Sequence, residues 1–153
     1  MKTIVIATDG SHASQAAVRE GLELAKETGA AVTVVTARQP ISFIGAPYDQ
    51  RELSRQLARA RGALDRAKAE AEAIGVEASY QVREGDPADE ILRIAADRQA
   101  DLVVVGSRGL GAIKSALLGS VSKAVVSGSD RAVLVVKCST RSRRPARPSE
   151  RAA

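Results

Sequence analysis

Asp101-Leu102-Val103-Val104-Val105-Gly106-Ser107-Arg108-Gly109 has the pattern of a buried strand that runs straight into a glycine turn. An apolar β-branched run ends abruptly in glycine, a small hydroxyl, a cation and a second glycine. Nine residues later comes Gly119-Ser120-Val121-Ser122, which opens a helical pattern. A strand that feeds a glycine turn and then a helix is half of a βαβ unit. Backbone N–H groups, small hydroxyls and a helix N-terminus are also what an anion needs for binding. The segment is not a P-loop, since no Gly-Lys-Ser/Thr follows. Nor is it G-x-G-x-x-G, because Gly106, Gly109, Gly111 and Gly119 are spaced differently.

Outward from this stretch, Val/Ile-rich runs alternate with Ala-rich helical patterns. The reading is a strand over 3–8 and a helix capped by Ser11, with the apolar stripe Ala17, Val18, Leu22 and Ala25 and a stop at Gly29. A second strand spans 31–37, and a loop with Pro40, Gly45 and Pro47 follows. A long helix over 49–74 places Leu53, Leu57, Ala60, Leu64, Ala67, Ala71 and Ile74 on one face, read as packing on the sheet. A third strand over 77–83 leads into Gly85-Asp86-Pro87, a turn, an N-cap and an N1 proline for a helix that ends near Arg98. The fourth strand is 101–106, the fourth helix 114–127 and the fifth strand 132–138. The fold class is therefore α/β: a single Rossmann-like, doubly wound domain over 1–138 with a five-stranded parallel sheet in the order 3-2-1-4-5.

The chain of 153 residues suits one domain of that size. Its net charge of +5 is unevenly placed: residues 139–153 hold five arginines against Glu150, so the first 138 residues carry only +1. That Arg/Ser/Pro segment lacks periodicity and is read as a disordered, solvated basic tail, not an arm for nucleic acid or anionic lipid. Phe43, Tyr48 and Tyr80 are the only aromatics, too few for base-stacking platforms. The lone Cys138 cannot form an internal disulfide and is read as a small buried or interface hydrophobe. The apolar run 3–8 is far too short for a signal peptide or membrane span, so a cytoplasmic location is expected.

In an open parallel sheet, ligands bind beyond the carboxyl ends of the strands where the winding reverses. In the order 3-2-1-4-5 that point lies between strands 1 and 4. Asp9-Gly10-Ser11 and Gly106-Ser107-Arg108-Gly109 would then face one crevice, an acid at one lip and a glycine loop at the other. This describes a nucleotide site, with Arg108 either clamping phosphate or standing as a solvated charge. Gly109 is expected to make a positive-φ turn. His12, the only histidine, is read as exposed and idle. No His/Cys/Asp/Glu cluster suggests a structural metal, and no Ser/His/Asp set suggests catalysis. A response-regulator reading fails because the third strand ends at Arg83-Glu84 rather than at a phosphorylatable aspartate.

With these residues in view, the chain resembles the ATP-binding branch of the universal stress protein family. The signature G-x2-G-x9-G-S/T is met by Gly106, Gly109, Gly119 and Ser120, and Thr8-Asp9-Gly10-Ser11, Gly85-Asp86-Pro87 and the last strand also match. The resemblance covers residues 2–138. It implies that Asp9 contacts the adenosine end, that Ala37 offers backbone atoms to adenine, and that Gly106, Gly109, Gly119, Ser120, Val121 and Ser122 hold ribose and phosphates. It implies ATP or another adenine nucleotide, often with Mg²⁺, and a homodimer made by antiparallel pairing of the last strands, Ala132 to Cys138. Ala37 departs from the valine common there, which leaves less side chain over the base. The function expected is a stress-response regulator, non-enzymatic or very slowly hydrolysing, read by an unidentified protein partner. The alternatives are a nucleotide-independent dimeric interaction module of the same fold and a weak ATPase.

Overall fold

The protein is described from a computed structural model, in which residues 1–40, 49–109 and 118–138 are described. Its strands are β1 (Thr3–Ala7), β2 (Ala31–Arg38), β3 (Ala78–Glu84), β4 (Leu102–Gly106) and β5 (Ala132–Val136). Between them run α1 (His12–Thr28), α2 (Gln50–Ile74), α3 (Pro87–Asp97) and α4 (Ser120–Gly128). All neighbouring strands are parallel and the order is β3-β2-β1-β4-β5, as the alternation of elements predicts.

The two-residue period of a strand sorts each run into two cores. Ile4 and Ile6 face one way, with Val34 and Val104, against Leu22 and Ala17 of α1 and Ala67 and Ala71 of α2. Val5 faces the other way, with Val35, Val103 and Val105, against Ile91 and Ile94 of α3 and Val125 of α4. Ile4, Ile6, Leu22, Ile94 and Val103 are completely buried. Each such side chain contributes about 1.5–3 kcal/mol relative to exposure. The central strands are apolar on both faces because helices cover both. The edge strands β3 and β5 alternate with solvent, and Val82 and Leu134 stand exposed.

Because β1 sits between β2 and β4, in register at Ile6↔Val34 and Ile6↔Val104, the chain winds away from it in both directions. The carboxyl ends of β1 and β4 therefore open side by side.

Three expectations are corrected. The fourth helix begins at Ser120, not at 114, because Gly119 is extended and its N–H donates to the Ser107 carbonyl at 2.7 Å. The fifth strand ends at Val136, where pairing with Gly106 runs out. Cys138 lies beyond that end and is exposed, so it is no core hydrophobe. The expectations for the loop at 41–48, for the part of the fourth helix over 114–117, and for the tail at 139–153 lie outside the described residues.

Candidate functional site

At the end of β1 the backbone is pinned by small hydroxyls. Thr8 donates its N–H to the Val35 carbonyl at 2.9 Å, which extends the sheet one residue past the strand. Its hydroxyl lies 3.1 Å from that of Ser14, and both residues are buried. Ser14 Oγ accepts the N–H of Asp9 at 3.3 Å, and Thr8 Oγ1 accepts the N–H of Gly10 at 3.2 Å. Asp9 Oδ1 accepts the Ser11 N–H at 2.9 Å, closing an Asx turn. Gly10 has φ +81°, and the Arg66 guanidinium from α2 rests on its Cα face, so a side chain there meets both backbone strain and steric conflict. Ser11 then caps α1 by accepting the Ser14 N–H. These bonds hold the Asp9 carboxylate in one orientation.

At the end of β4, two glycines permit close approach. A Cβ on Gly106 would stand 2.6 Å from the Ala13 carbonyl carbon and 2.7 Å from the Ser14 nitrogen. The strand thus passes directly against the first turn of α1. A Cβ on Gly109 would stand 2.5 Å from Asp9 Oδ2. Gly109 does not have the positive φ that its place after a strand suggests; the described glycines with that geometry are Gly10, Gly29, Gly75 and Gly85. Its glycine requirement comes from the carboxylate across the crevice.

The loop is tied to its surroundings through backbone groups. Ser107 donates its N–H to Val136 at 2.8 Å and accepts from Gly119, while Ser11 Oγ donates to the Arg108 carbonyl at 3.4 Å. Ser122 Oγ donates to the Gly106 carbonyl at 2.6 Å. Ser122 is therefore buried with its hydroxyl proton committed, and it faces a ligand through its backbone N–H and oxygen lone pairs.

The helix starts differ in one respect. Ser11, Asp49 and Asp86 each cap their helix with a side-chain oxygen, whereas Gly119 gives α4 no side-chain cap. The first-turn N–H groups of a helix have no intrahelical acceptors and carry roughly half a positive charge. At α4 they are left for something else.

Between these lips lies a cavity of about 420 Å³, within the range of small-molecule sites, roughly 300–1,000 Å³. Asp9 lines it from β1, and Gly106, Arg108 and Gly109 line it from β4. Gly119, Ser120, Val121 and Ser122 line it from the start of α4, and Ala37 from the end of β2. The nine residues expected to contact a nucleotide thus line one cavity, whereas Gly10, Ser11 and Ser107 shape the loops beside it. The structure adds Thr8 and Ser14, Val35 and Gln39 from the β2 segment, and Pro87 and Ile91 from α3. Gly85-Asp86-Pro87 was legible as a helix start, but that Pro87 walls this cavity follows only from the chain crossing between β3 and β4. Thr8 belongs to the Thr8-Asp9-Gly10-Ser11 opening, where no role was assigned to it, and Ser14 carries no motif. The only usable sign of them is the density of small hydroxyls, Thr8, Ser11 and Ser14, around Asp9.

The site is polarised. The β2–α3 side is apolar, with Ala7, Val35, Ala37, Pro87 and Ile91. The β4–α4 side offers Arg108, Ser120 and Ser122 and the first-turn amides of α4, which no described side chain caps. Asp9 is the one carboxylate among the described lining residues. No group of three or more His, Cys, Asp or Glu is placed to hold a metal ion among the described residues.

The universal stress protein family model matches residues 1–137. A universal stress protein of Thermus aquaticus, from the region 3′ of a QAH/OAS sulfhydrylase, is 41% identical over 140 residues, covering 89% of this chain and 98% of that protein. Universal stress protein MJ0531 of Methanocaldococcus jannaschii is 38% identical over 139 residues, covering 89% of this chain and 82% of that protein. Among solved structures, a universal stress protein in complex with cAMP superposes with a TM-score of 0.72 at 33% identity, covering 90% of this chain and 98% of that one.

Proposed function

The chain belongs to the universal stress protein family, and we propose that it binds an adenine nucleotide and acts as a stress-response regulator without appreciable turnover. The observation that carries this reading is the uncapped N-terminus of α4, opening into a cavity whose opposite lip is Asp9. A phosphate at the amides of Ser120, Val121 and Ser122 satisfies orphan donors and meets the positive helix end, with Arg108 beside it. Asp9 accepts from ribose hydroxyls. The base lies on the apolar side, against backbone atoms of Ala37. The cAMP complex of a relative supports an adenine nucleotide as the ligand class; ATP is the member of that class the glycine signature suggests.

A Mg²⁺ arriving with a di- or triphosphate suits this donor set. Mg²⁺ is commonly held by one or two carboxylates, phosphate oxygens and water. Asp9 and the Ser120 hydroxyl would be the protein oxygens offered, and the ion would neutralise phosphate charge. Asp9 Oδ1 is already engaged by the Ser11 N–H. That supports a binding role for the carboxylate over a general base for hydrolysis.

The regulatory form is a homodimer through β5. Val133, Val135 and Val136 are only partly buried in the single chain and Leu134 is exposed, and an unpaired apolar edge invites pairing. Ser107 bonds to Val136, so the glycine loop and the edge strand share a backbone contact through which occupancy can reach the dimer and a protein partner. None of the described helices is long and apolar enough to cross a membrane, which accords with a cytoplasmic regulator. The test is to denature the purified protein and identify any released nucleotide, followed by titration of AMP and ATP onto the emptied protein. Absence of released nucleotide together with absence of binding would overturn the reading.

A further inference from the structure

The apolar side of the cavity contains one polar side chain that the nucleotide reading leaves unused. β2 pairs with β3 as far as Arg38↔Glu84, and the Gly85 N–H donates to the Arg38 carbonyl at 2.9 Å. This fixes the backbone just before Gln39. Strand alternation then carries Val35, Ala37 and Gln39 to the cavity, while Arg38 turns away to pair with Glu84. Pro87 and Ile91 form the facing wall.

The described polar lining groups otherwise lie elsewhere. Thr8, Asp9 and Ser14 are at the β1 end, and Arg108, Ser120 and Ser122 are at the glycine loop. Gln39 is thus the one side chain with both a donor and an acceptor at the end where the base lies. No described residue hydrogen-bonds its carboxamide. Ala37, two residues earlier, is small and leaves that side chain room to reach inward.

We infer that Gln39 is the residue that reads the nucleobase, its carboxamide oxygen accepting from the 6-amino group of a purine and its NH₂ donating to the adjacent ring nitrogen. The inference rests on the nucleotide reading above. A carboxamide and a 6-aminopurine edge are complementary, each with one donor and one acceptor side by side. Purines without the 6-amino group lose one of the two bonds. The site therefore favours 6-aminopurine nucleotides through a side chain, beyond whatever the β2 backbone supplies.

The experiment compares AMP, purine riboside 5′-monophosphate (the same nucleotide without the amino group) and ribose 5-phosphate by calorimetric titration. The proteins are the full chain, Gln39→Ala and Gln39→Glu. One neutral hydrogen bond corresponds to about a two- to tenfold change in affinity. The unmodified chain should prefer AMP over the deamino analogue. Gln39→Ala should shrink that preference by about two- to tenfold and leave ribose 5-phosphate binding unchanged. Gln39→Glu keeps an acceptor for the amino group and should retain the preference. A Gln39→Ala variant with the unmodified preference would overturn the inference while leaving nucleotide binding intact. Equal losses for all three ligands would also overturn it, since the residue would then act on the site as a whole. A native chain that binds neither nucleotide would overturn the nucleotide reading itself, and this inference with it.

Discussion

Gly109 and Asp9 occupy one another's space: the position of a Cβ on Gly109 lies 2.5 Å from Asp9 Oδ2. The two residues come from loops at the ends of different strands and line the cavity from opposite lips. Gly109→Ala must therefore displace the carboxylate. Overpacking of this kind costs about 1–3 kcal/mol. In an Asp9→Ala background the obstacle is gone, so the same substitution should cost much less. Thermal unfolding of the two single variants and the double variant measures this coupling. Additive losses would show that the contact is not what demands glycine.

Gly106→Ala should be the more damaging change. Its methyl would meet backbone of α1, the Ala13 carbonyl and the Ser14 N–H, which cannot swing aside as a side chain can. A loss of about 3 kcal/mol or more is expected, at or beyond the top of the usual overpacking range. For a domain of this size that lowers Tm by roughly 2–4 °C per kcal/mol. An unchanged Tm would contradict the close packing of β4 on α1.

Much of this was legible in the sequence, for identifiable reasons. The parallel order followed from Val/Ile runs alternating with Ala-rich periodic segments. The Asp9–glycine-loop juxtaposition followed from where such a sheet reverses. The start of α4 was misplaced because Lys114 to Leu118 has good helix formers, and propensity does not report that the Gly119 N–H is held by Ser107. Gly109 was misread because glycine after a strand ordinarily marks a turn, and the carboxylate opposite is a hundred residues distant in the chain. Gln39 and Ser14 belong to no spacing pattern, and Thr8 stands out only as part of the Thr8-Asp9-Gly10-Ser11 opening. Only strand alternation and the α1 packing bring them to the cavity.

Far from the site, Asp101 Oδ2 accepts the backbone N–H groups of Lys2 at 2.6 Å and Thr3 at 3.0 Å. These bonds hold its carboxyl below the ordinary aspartate range. A depressed folded-state pKa contributes stability above the unfolded value, near 3.8, and that stability is lost as pH falls through the folded value. Asp101→Asn should therefore destabilise the protein at neutral pH and flatten the acid limb of its stability profile. Denaturant unfolding between pH 2 and 7 gives the comparison. Parallel curves for the two proteins would mean that the carboxylate does not act in this way.

Leu134→Lys places a charge on the exposed face of the β5 edge without touching the core. If the edge pairs with a second copy, the variant should sediment as a monomer at concentrations where the unmodified chain is a dimer. Analytical ultracentrifugation decides this, and a monomeric unmodified chain at high micromolar concentration would refute the dimer.

In the proposed arrangement a phosphate occupies the uncapped start of α4 while Asp9 and the β2 side hold the nucleoside. Calorimetric titration of the unmodified chain with AMP and with adenosine tests it most directly. Charge-assisted hydrogen bonds contribute about 1.5–3 kcal/mol each, so AMP should bind roughly 10- to 150-fold more tightly than adenosine. Equal affinities, or binding of neither, would contradict the account.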